Sequence, residues 1–507
     1  MENNLARLAE AALERLGDHP SLYYEGVWHS SGQLHERARR VATGLRRLGV
    51  GTGDRVVVFM ANCPEVGIAY TAIWRAGAVV TPVIFLISIP ELRHILLDSG
   101  AAAVVTSPEL AGLVAEALDG RALPVVVVGE DFSELEHNEP SAIVDRSPDD
   151  LAALLYTGGT TGRSKGVCLT HANLSNAGAS ARAVSYVPGL IRGITGLPLS
   201  HSFGLLVTVG GLHAPEPLSA VLLRWFDAST WLRLASEQKS QTAAMVPSML
   251  AMLLACPVED HDLSELRFIF SGAAPLSPAI REEFHRRVPS VTVVEGYGCT
   301  ETAGIISSTP PMAPRFGTVG KPVPNVDVRI EDPEGNAVPV GQDGEVVVRG
   351  PNIMARYWGS AEPQNEWFHT GDIGRLDDDG YLTIVDRIKD LIIRGGYNVY
   401  PRDVEDVLVQ HPQVAMAAVV GRPDQRLGEE VVAFVSLVAG GTATPEELMA
   451  YSKEHLAGYK YPREVHIVDA IPLTSVGKLD RKRLRATVTA TTPSQAVPSD
   501  SSAETSA

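Results

Sequence analysis

A run of glycine and hydroxyl residues around one lysine has the composition of a phosphate-binding loop. It reads YTGGTTGRSKG over residues 156–166 and follows an apolar segment. Glycines at this density let the backbone turn tightly and present N–H groups to phosphate oxygens, while hydroxyls add donors and lysine adds positive charge. The predicted ligand is a nucleoside triphosphate, and the predicted contacts are Thr157, Gly158, Gly159, Thr160, Thr161, Gly162 and Lys165.

This loop differs from the phosphate loop of the P-loop NTPases. That loop needs glycine directly before its lysine and Ser or Thr directly after it, whereas Ser164 precedes Lys165 and Gly166 follows it. A kinase or NTPase is therefore disfavoured. The alternative interpretation is a flexible surface turn, and the density of Thr and Gly after a buried strand makes it the less favoured of the two.

The elements that must position this loop alternate between strand and helix patterns. Residues 55–59, 102–106, 124–128 and 153–156 are short apolar runs typical of buried strands. Residues 31–48 and 65–76 carry apolar side chains at helical spacing. This alternation predicts an α/β fold class with a mainly parallel sheet.

The pattern changes twice towards the C-terminus. From about residue 318 to 349, short alternating strands flank DPEGN and GQDG turns, which predicts a small β-rich subdomain. After Arg387, a separate α+β domain is predicted from helices at 404–410 and from Pro445, with strands at 415–420, 431–437 and 464–468. Residues 487–507 are rich in Thr, Ser, Ala and Pro, which predicts a disordered tail.

The composition of the whole chain excludes several classes of function. Its 507 residues exceed one hydrophobic core, since single cores stop growing near roughly 250–300 residues. A net charge of −17 without a separate Lys/Arg cluster argues against nucleic-acid binding. Four scattered cysteines without a CxxC pair or a secretory leader favour a reducing cytoplasm. The longest apolar stretch, residues 79–89, is shorter than the roughly 20 residues of a transmembrane helix.

Six further motifs follow the loop in an order that resembles one superfamily. They are LPLSHSFGL (197–205), SGAAPL (271–276), EGYGCTE (295–301), WFHTGD (367–372), DRIKDLIIRGGYNVYP (386–401) and PLTSVGKLDR (472–481). Together with the loop they resemble the motifs of acyl-CoA synthetases, peptide-synthetase adenylation domains and beetle luciferases, over nearly the whole chain. The resemblance implies an N-terminal adenylation region of two α/β subdomains and a β-subdomain (1–387), a small mobile α+β C-terminal domain (388–486) and the tail (487–507).

The resemblance implies a two-step reaction that uses ATP, Mg²⁺ and coenzyme A. A carboxylate attacks the α-phosphorus of ATP and releases pyrophosphate, and a thiol then attacks the acyl adenylate and releases AMP. Both steps concentrate negative charge on oxygen, so positioning and electrostatic stabilisation should dominate catalysis. By their positions in the motifs, Lys478 is the lysine that bridges carboxylate and α-phosphate, and Glu301 holds Mg²⁺.

The same motifs imply the remaining nucleotide contacts. Tyr297 matches the aromatic residue that stacks on adenine, Asp372 the carboxylate that accepts the ribose hydroxyls, and Arg387 the arginine that contacts ribose and phosphate. The other implied contacts are Gly272, Ala273, Ala274, Glu295, Gly296, Gly298 and Thr300.

The resemblance also implies residues for the thiol step and the acid. Lys389 matches a hinge whose rotation brings Lys478 in for the first step and Gly395, Gly396 and Tyr397 in for the second. His201 matches a residue that borders the carboxylate and gates the acyl site, with a satisfied core histidine as the alternative. The implied acid pocket is Phe203, Gly204, Val246, Pro247, Ala303, Gly304 and Ile305, and its small residues favour a bulky hydrophobic acid.

The sequence therefore predicts a stand-alone acyl-CoA synthetase for a small-molecule hydrophobic acid, with three alternatives. One is a ligase that passes its acyl adenylate to a carrier-protein thiol or a partner transferase. The second is a non-catalytic sensor or scaffold, which the intact set of Lys165, Glu301, Asp372, Arg387 and Lys478 disfavours. The third is a luciferase-like oxygenase. A homodimer is compatible with the sequence.

Overall fold

A computed structural model describes residues 4–157, 163–361, 366–474 and 479–490. The chain divides into two compact units, Met1–Val385 and Asp386–Ala507, called here the N-terminal unit and the C-terminal unit. No helix within the described ranges is long and apolar enough to span a bilayer.

The helices begin at sequence signals that fix their first turns. Ser30, Ser88, Thr170 and Thr444 each cap a helix reciprocally with the third residue of that helix. The α-helices are α1 (Leu5–Leu16), α2 (Ser31–Arg47), α3 (Pro64–Arg75), α4 (Ile89–Asp98), α5 (Ala111–Leu118), α6 (Glu130–Glu136), α7 (His171–Ser185), α8 (Ser202–Leu212), α9 (Ala228–Glu237), α10 (Pro247–Leu254), α11 (Pro278–Arg287), α12 (Pro401–Leu408), α13 (Pro445–His455) and α14 (Arg481–Ala490). Short 3-10 helices cover Pro108–Leu110, Val258–Asp260, Thr300–Thr302 and Ile388–Asp390.

The strands include every apolar run that the sequence predicted to be a strand. They are β1 (Pro20–Tyr24), β2 (Val27–Ser30), β3 (Arg55–Phe59), β4 (Val79–Pro82), β5 (Ala101–Thr106), β6 (Val125–Val127), β7 (Leu151–Thr157), β8 (Lys165–Thr170), β9 (Arg192–Thr195), β10 (Ser219–Leu222), β11 (Thr242–Met245), β12 (Phe268–Ser271), β13 (Thr292–Tyr297), β14 (Ser307–Ser308), β15 (Lys321–Pro322), β16 (Asp327–Glu331), β17 (Gly344–Arg349), β18 (Arg356–Tyr357), β19 (Phe368–Leu376), β20 (Leu382–Arg387), β21 (Ile392–Arg394), β22 (Tyr397–Val399), β23 (Val414–Asp424), β24 (Gly428–Leu437) and β25 (Glu464–Ile467).

Two large sheets and a small one organise the N-terminal unit. The strand orders are β15-β14-β13-β12-β11-β9-β10-β1-β2, β18-β8-β7-β4-β3-β5-β6 and β16-β17-β19-β20. Pairing is parallel from β1 through β10, β9, β11 and β12 to β13, and from β7 through β4, β3 and β5 to β6. The predicted α/β fold with mainly parallel sheets is confirmed.

The central strand β3 shows why its sequence is a continuous apolar run. Val56 and Val58 point to one face, into a core that also holds residues of α2 and α3. Val57 and Phe59 point to the other face and pack with residues of α4 and α5. Because successive side chains of a strand alternate between faces, a strand covered by helices on both sides needs apolar residues throughout.

The C-terminal unit is an α+β domain around a five-stranded sheet. The strand order is β22-β21-β24-β23. Strand β25 pairs in parallel with β24 on the edge opposite β23. Helix α12 starts at Pro401, three residues before the predicted start, because proline is tolerated and preorganised in the first turn of a helix.

The predicted disordered tail starts too early. Residues 487–490 belong to α14, where Val488 is buried together with Leu484, Val420 and Phe434. The composition of the tail concealed this because Leu484 and Val488 form a two-residue apolar face, one turn apart, at the end of the helix. Residues 491–507 lie outside the described part of the chain.

Candidate active site

Several motifs meet at the carboxyl edge of the nine-stranded sheet. Strands β9, β11, β12 and β13 are parallel neighbours in space, and Met245, Ser271 and Glu295 lie side by side at their ends. In parallel sheets the loops beyond the carboxyl ends form the ligand-binding crevice. The fold therefore brings together LPLSHSFGL after β9, Val246 and Pro247 after β11, SGAAPL after β12 and EGYGCTE at β13.

The predicted phosphate loop connects two antiparallel strands. Thr157 at the end of β7 pairs with Lys165 at the start of β8, and Tyr156 pairs with Gly166. In P-loop proteins the loop opens a helix instead, so the topology confirms that this loop is of another kind. Gly158, Gly159, Thr160, Thr161 and Gly162 lie outside the described residues.

Helix α4 holds both flanks of the loop. The hydroxyl of Tyr156 donates to Oδ2 of Asp98 at 2.6 Å, and Nε2 of His94 lies 3.0 Å from the carbonyl oxygen of Ser164. The sequence analysis missed His94 and Asp98. No local signal could have found them, because the partner of His94 is 70 positions away in the chain and that of Asp98 is 58 positions away.

Tyr357 connects the lysine of the loop with the predicted metal ligand. Its hydroxyl donates to Oε1 of Glu301 at 3.0 Å, and Nζ of Lys165 lies 5.6 Å from the centre of its ring. Burial, and then the Glu301 carboxylate, raise the pKa of the Tyr357 hydroxyl, so it stays protonated and donates. Sequence reasoning also missed Tyr357. It stands on β18, which pairs with β8 directly behind the loop.

The surroundings of Glu301 fit a magnesium ion bound mainly by phosphate. Glu301 lies on the 3-10 helix Thr300–Thr302 after β13, and its Oε1 is occupied by Tyr357. Its second oxygen, Oε2, would be the carboxylate ligand of a magnesium ion bound here. Mg²⁺ commonly takes one or two protein carboxylates and fills its shell with phosphate oxygens and water.

A short hydrogen bond joins the predicted adenine and ribose residues. The Tyr297 hydroxyl donates to Oδ2 of Asp372 at 2.6 Å. Burial raises the pKa of Tyr297 well above its usual range and the Asp372 carboxylate adds to the rise, so the tyrosine remains a donor. Asp372 is buried on β19, and its backbone N–H donates to Oγ1 of Thr370 at 3.1 Å. One contact therefore fixes the ring and the carboxylate relative to each other.

Two residues of the nucleotide motifs are constrained by the backbone. A Cβ at Gly298 would lie 2.6 Å from backbone atoms of Gly304, whereas one at Gly272 would make ordinary contact, 3.5 Å from the Phe203 ring. Ala273 has a φ of 67°, in the left-handed region that costs a non-glycine residue about 1 kcal/mol or more. Gly298 is therefore required by packing, and Ala273 is held in a specific backbone conformation.

His201 caps the helix that follows its motif. Its Nδ1 accepts the backbone N–H of Phe203 at 3.2 Å, at the start of α8. In neutral imidazole only one nitrogen carries hydrogen, so an accepting Nδ1 places the hydrogen on Nε2. The histidine thus combines the structural role of a helix cap with a second nitrogen that can donate.

The argument from small residues to a roomy acid pocket is wrong for two of the glycines. A Cβ at Gly204 would lie 2.2 Å from the carbonyl oxygen of Pro198, and one at Gly304 would lie 3.1 Å from that of Ser202. Backbone atoms fill these spaces, so small residues are required by packing. Ala303 and Ile305 are buried in the main core, Pro247 is buried at the start of α10, and Val246 and Phe203 are partly buried.

The remaining predicted residues belong to the C-terminal unit. Gly395 and Gly396, with φ of 59° and 82°, form the two-residue turn of the β21–β22 hairpin. That turn type needs positive φ at both positions, so hairpin geometry by itself explains both glycines. Tyr397 is exposed and stacks on Tyr459 with ring centres 4.8 Å apart.

Three further residues of this unit were assigned by the motifs. Arg387 ends β20, and Lys389 lies on the 3-10 helix Ile388–Asp390, with both side chains exposed. Lys478 lies outside the described residues, between Thr474 and Leu479.

Comparisons with known proteins place the whole chain in one family. Residues 9–358 match the AMP-binding enzyme family and residues 403–478 match the AMP-binding enzyme C-terminal domain. The chain is 37% identical to a feruloyl-CoA synthase of Amycolatopsis sp, over 89% of this chain and 92% of that protein. It is 34% identical to the fatty acid–[acyl-carrier-protein] ligase ScoC of Streptomyces coeruleorubidus, over 92% and 93%.

A solved structure shows the same fold over nearly the whole length. The anthranilate CoA ligase AuaEII, in complex with anthranoyl-AMP, superposes with a TM-score of 0.89 at 28% identity, over 96% of this chain and 97% of AuaEII. Family match, relatives and fold agree with the seven ordered motifs. The chain therefore belongs to the AMP-binding enzyme family, within the superfamily of adenylate-forming enzymes.

Proposed function

We propose that the protein converts a hydrophobic carboxylic acid into its coenzyme A thioester in two steps. The acid carboxylate attacks the α-phosphorus of ATP, which gives acyl adenylate and pyrophosphate. The thiol of coenzyme A then attacks the acyl carbon, and AMP leaves with the bridging oxygen. The observation that carries the proposal is the convergence of the Lys165–Tyr357–Glu301 and Tyr297–Asp372 contacts in the N-terminal unit.

Hydrogen-bond donors and positive charge bind the phosphate end of the nucleotide, and an acceptor and an aromatic ring bind its nucleoside end. Hydroxyls and N–H groups of the loop, with Lys165, bind the phosphates, and Glu301 holds Mg²⁺, which neutralises their charge. Asp372 accepts the ribose hydroxyls while the Tyr297 ring stacks on adenine. Because Tyr297 also bonds Asp372, the two contacts orient the nucleoside as one rigid group.

The attacking carboxylate is oriented by His201. Its Nε2–H donates to a carboxylate oxygen, since Nδ1 is already used by the backbone of α8. Lys478 then stabilises the negative charge that gathers between the carboxylate and the α-phosphate. The C-terminal unit changes its arrangement at Lys389 between the two steps. In the second step, the pantetheine arm of coenzyme A lies against the Gly395–Gly396 turn.

An acid panel tests this function. Ferulate, anthranilate and dodecanoate, chosen from the acids of the relatives, are each supplied with ATP, Mg²⁺ and coenzyme A. We expect pyrophosphate release that depends on one class of acid, together with the matching acyl-CoA. Hydroxylamine in place of the thiol should trap the same acid as its hydroxamate. Pyrophosphate release that does not depend on any acid would contradict the proposal.

A carrier-protein thiol is the second candidate acceptor. It is favoured by the similarity to ScoC, whose name specifies an acyl-carrier-protein as acceptor. Both acceptors present the same pantetheine thiol, so the residues of adenylation do not separate them. Acyl-CoA formed with coenzyme A alone supports the first acceptor, and acyl adenylate that accumulates until a phosphopantetheinylated carrier protein is added supports the second.

A further inference from the structure

A buried ion pair lies three residues beyond the predicted catalytic lysine. Arg481 is the first residue of α14, and its Nη2 lies 2.7 Å from each carboxylate oxygen of Glu405 on α12. Glu405 is 8% exposed. Burying an ion pair removes the hydration of both ions, which offsets most of their attraction, so such a pair adds little net stability. The pair is therefore better explained by the positions that it fixes than by the stability that it adds.

Both members of the pair are also bonded to the sheet of the C-terminal unit. The backbone N–H of Val419 donates to Oε1 of Glu405 at 2.8 Å, and Nε of Arg481 donates to the carbonyl oxygen of Val419 at 3.4 Å. Val419 is a buried residue of β23. The start of α14 is thus fixed to α12 and β23 at one point.

The described residues on the two sides of positions 475–478 are paired close to this point in the sequence. Leu473 and Leu479 form an isolated antiparallel bridge, and the backbone N–H of Asp480 donates to the carbonyl oxygen of Pro472 at 2.9 Å. Lys478 directly precedes Leu479 in the sequence, and only Leu479 and Asp480 separate it from Arg481.

Helix α14 also contacts the predicted hinge segment. Nη2 of Arg485, one turn after Arg481, lies 3.2 Å from Oδ1 of Asp390 and 3.2 Å from the carbonyl oxygen of Lys389. Nη1 of Arg481 lies 3.9 Å from Oδ2 of Asp390, which is itself buried. The first turns of α14 therefore connect the 3-10 helix Ile388–Asp390 with the chain that follows the Leu473–Leu479 bridge.

We infer that Glu405 and Arg481 are positioning residues for the adenylation step. Their ion pair fixes the described residues that follow Lys478 in the sequence relative to Ile388–Asp390, and so limits the positions open to the lysine amine when the chain moves at Lys389. The inference rests on the proposed role of Lys478 in adenylation. It assigns Glu405 and Arg481 no role in thioester formation, because that step uses a different part of the C-terminal unit.

The test measures the two half-reactions separately in Glu405→Gln. The substrates are the panel acid that the wild-type chain turns over fastest and the chemically prepared adenylate of that acid. We expect kcat for acid-dependent pyrophosphate release to fall about 10- to 100-fold, the order of loss when a catalytic group is misplaced by about 1 Å. KM for ATP and the rate from acyl adenylate plus coenzyme A should stay within about threefold of wild type.

Two further variants keep the outcome interpretable. Glu430→Gln removes a similarly buried carboxylate from Arg394 in the same unit, on strands that do not carry Lys478, and should leave adenylation unchanged. Arg481→Lys keeps the charge but loses the reach and shape of the guanidinium, and should show an intermediate loss of adenylation. If Glu405→Gln does not fold, the two half-reactions are compared in Arg481→Lys instead.

Three results would overturn the inference. They are normal adenylation in both Glu405→Gln and Arg481→Lys, an equal loss in both half-reactions, and an equal loss of adenylation in Glu430→Gln. Failure of the wild-type chain to release pyrophosphate with any panel acid is a different result, because it contradicts the proposed function itself.

Discussion

Among single side chains, Lys478 is predicted to have the largest effect on the first chemical step. Its amine faces negative charge that develops only as carboxylate and α-phosphate meet, so its loss should lower kcat more than it raises KM for ATP. We expect Lys478→Ala to reduce acid-dependent pyrophosphate release by roughly 100-fold or more. Lys482→Ala, an exposed lysine on α14, is the matched control. Near-normal pyrophosphate release in Lys478→Ala would contradict the catalytic role assigned to Lys478.

The Tyr297 hydroxyl is predicted to act in binding and not in chemistry. Hydrogen bonds to charged groups contribute about 1.5–3 kcal/mol, so Tyr297→Phe should raise KM for ATP about 10-fold or more by loosening Asp372. The value of kcat should change little. Tyr186→Phe removes a similar bond, to Glu216 at 2.9 Å, elsewhere in the same unit and serves as control. A fall in kcat at unchanged KM would contradict the binding role.

The sequence identified site residues through their motifs but not through their contacts. Glu301 and Asp372 were predicted from matched positions, and the structure adds their partners Tyr357 and Tyr297. Of these partners, Tyr297 lay in a motif and Tyr357 did not. Tyr357 donates to a residue 56 positions earlier, and only the pairing of β18 with β8 brings it there. Contacts across such separations have no periodic signature in the chain.

At the level of elements, the contact between α1 and α7 depends on a neutral histidine. His171, the first residue of α7, is fully buried, and its Nδ1 accepts the backbone N–H of Leu5 at 3.2 Å. Burial lowers the pKa of His171 to about 4, and the nearby Arg146 guanidinium adds to the effect. The folded-state pKa lies below the unfolded value near 6.5, so this contribution is fully present above about pH 6.5 and is lost as the pH falls towards 4.

This pKa difference predicts a pH-dependent stability of the N-terminal unit. We expect the free energy of unfolding to fall by about 3 kcal/mol through His171 between pH 7 and pH 4. Urea unfolding of the wild-type chain and of His171→Asn over this range should show a smaller decrease in the variant, which cannot take up the proton. His137→Asn, at an exposed position, should retain the wild-type slope. Equal slopes for His171→Asn and the wild-type chain would contradict the account.

Element types could be predicted from the sequence because their signals are local. The apolar run of β3 and the amphipathic spacing of α2 are complete within the elements themselves. The start of the disordered tail at residue 487 was predicted wrongly because Val488 becomes a core residue only through partners on β23 and β24. The Gly395–Gly396 pair is ambiguous in sequence for another reason. The same two glycines fit a hairpin turn and a proposed ligand contact, so the pattern does not separate the two roles.

For the whole molecule, a change in arrangement at Lys389 is predicted to separate the two half-reactions. Proline at this position restricts φ to about −65° and removes the N–H, which limits the backbone rotation that the hinge needs. We expect Lys389→Pro to keep adenylation within a few-fold of wild type and to lower thioester formation at least about 10-fold. Lys389→Ala removes the side chain without this restriction and should retain both steps. Equal loss of both steps in Lys389→Pro would argue against a hinge.

The division of the chain into two units was predicted from the sequence pattern as well as from the resemblance. The chain divides into two compact units, and each carries some of the motif residues. Composition alone predicted more than one core, and the change of pattern after Arg387 predicted a separate small domain. The two successive arrangements of the C-terminal unit, and the homodimer, stay predictions.

The central claim is that the acid is activated by forming a bond to the α-phosphorus of ATP. Its most direct test supplies a panel acid with both carboxylate oxygens labelled with ¹⁸O, together with ATP, Mg²⁺ and coenzyme A, and measures the nucleotide product by mass spectrometry. The account predicts AMP that carries one ¹⁸O atom, because the bridging oxygen stays on phosphorus when the thiol displaces AMP. ADP as the product with label in inorganic phosphate, or AMP without label, would contradict it.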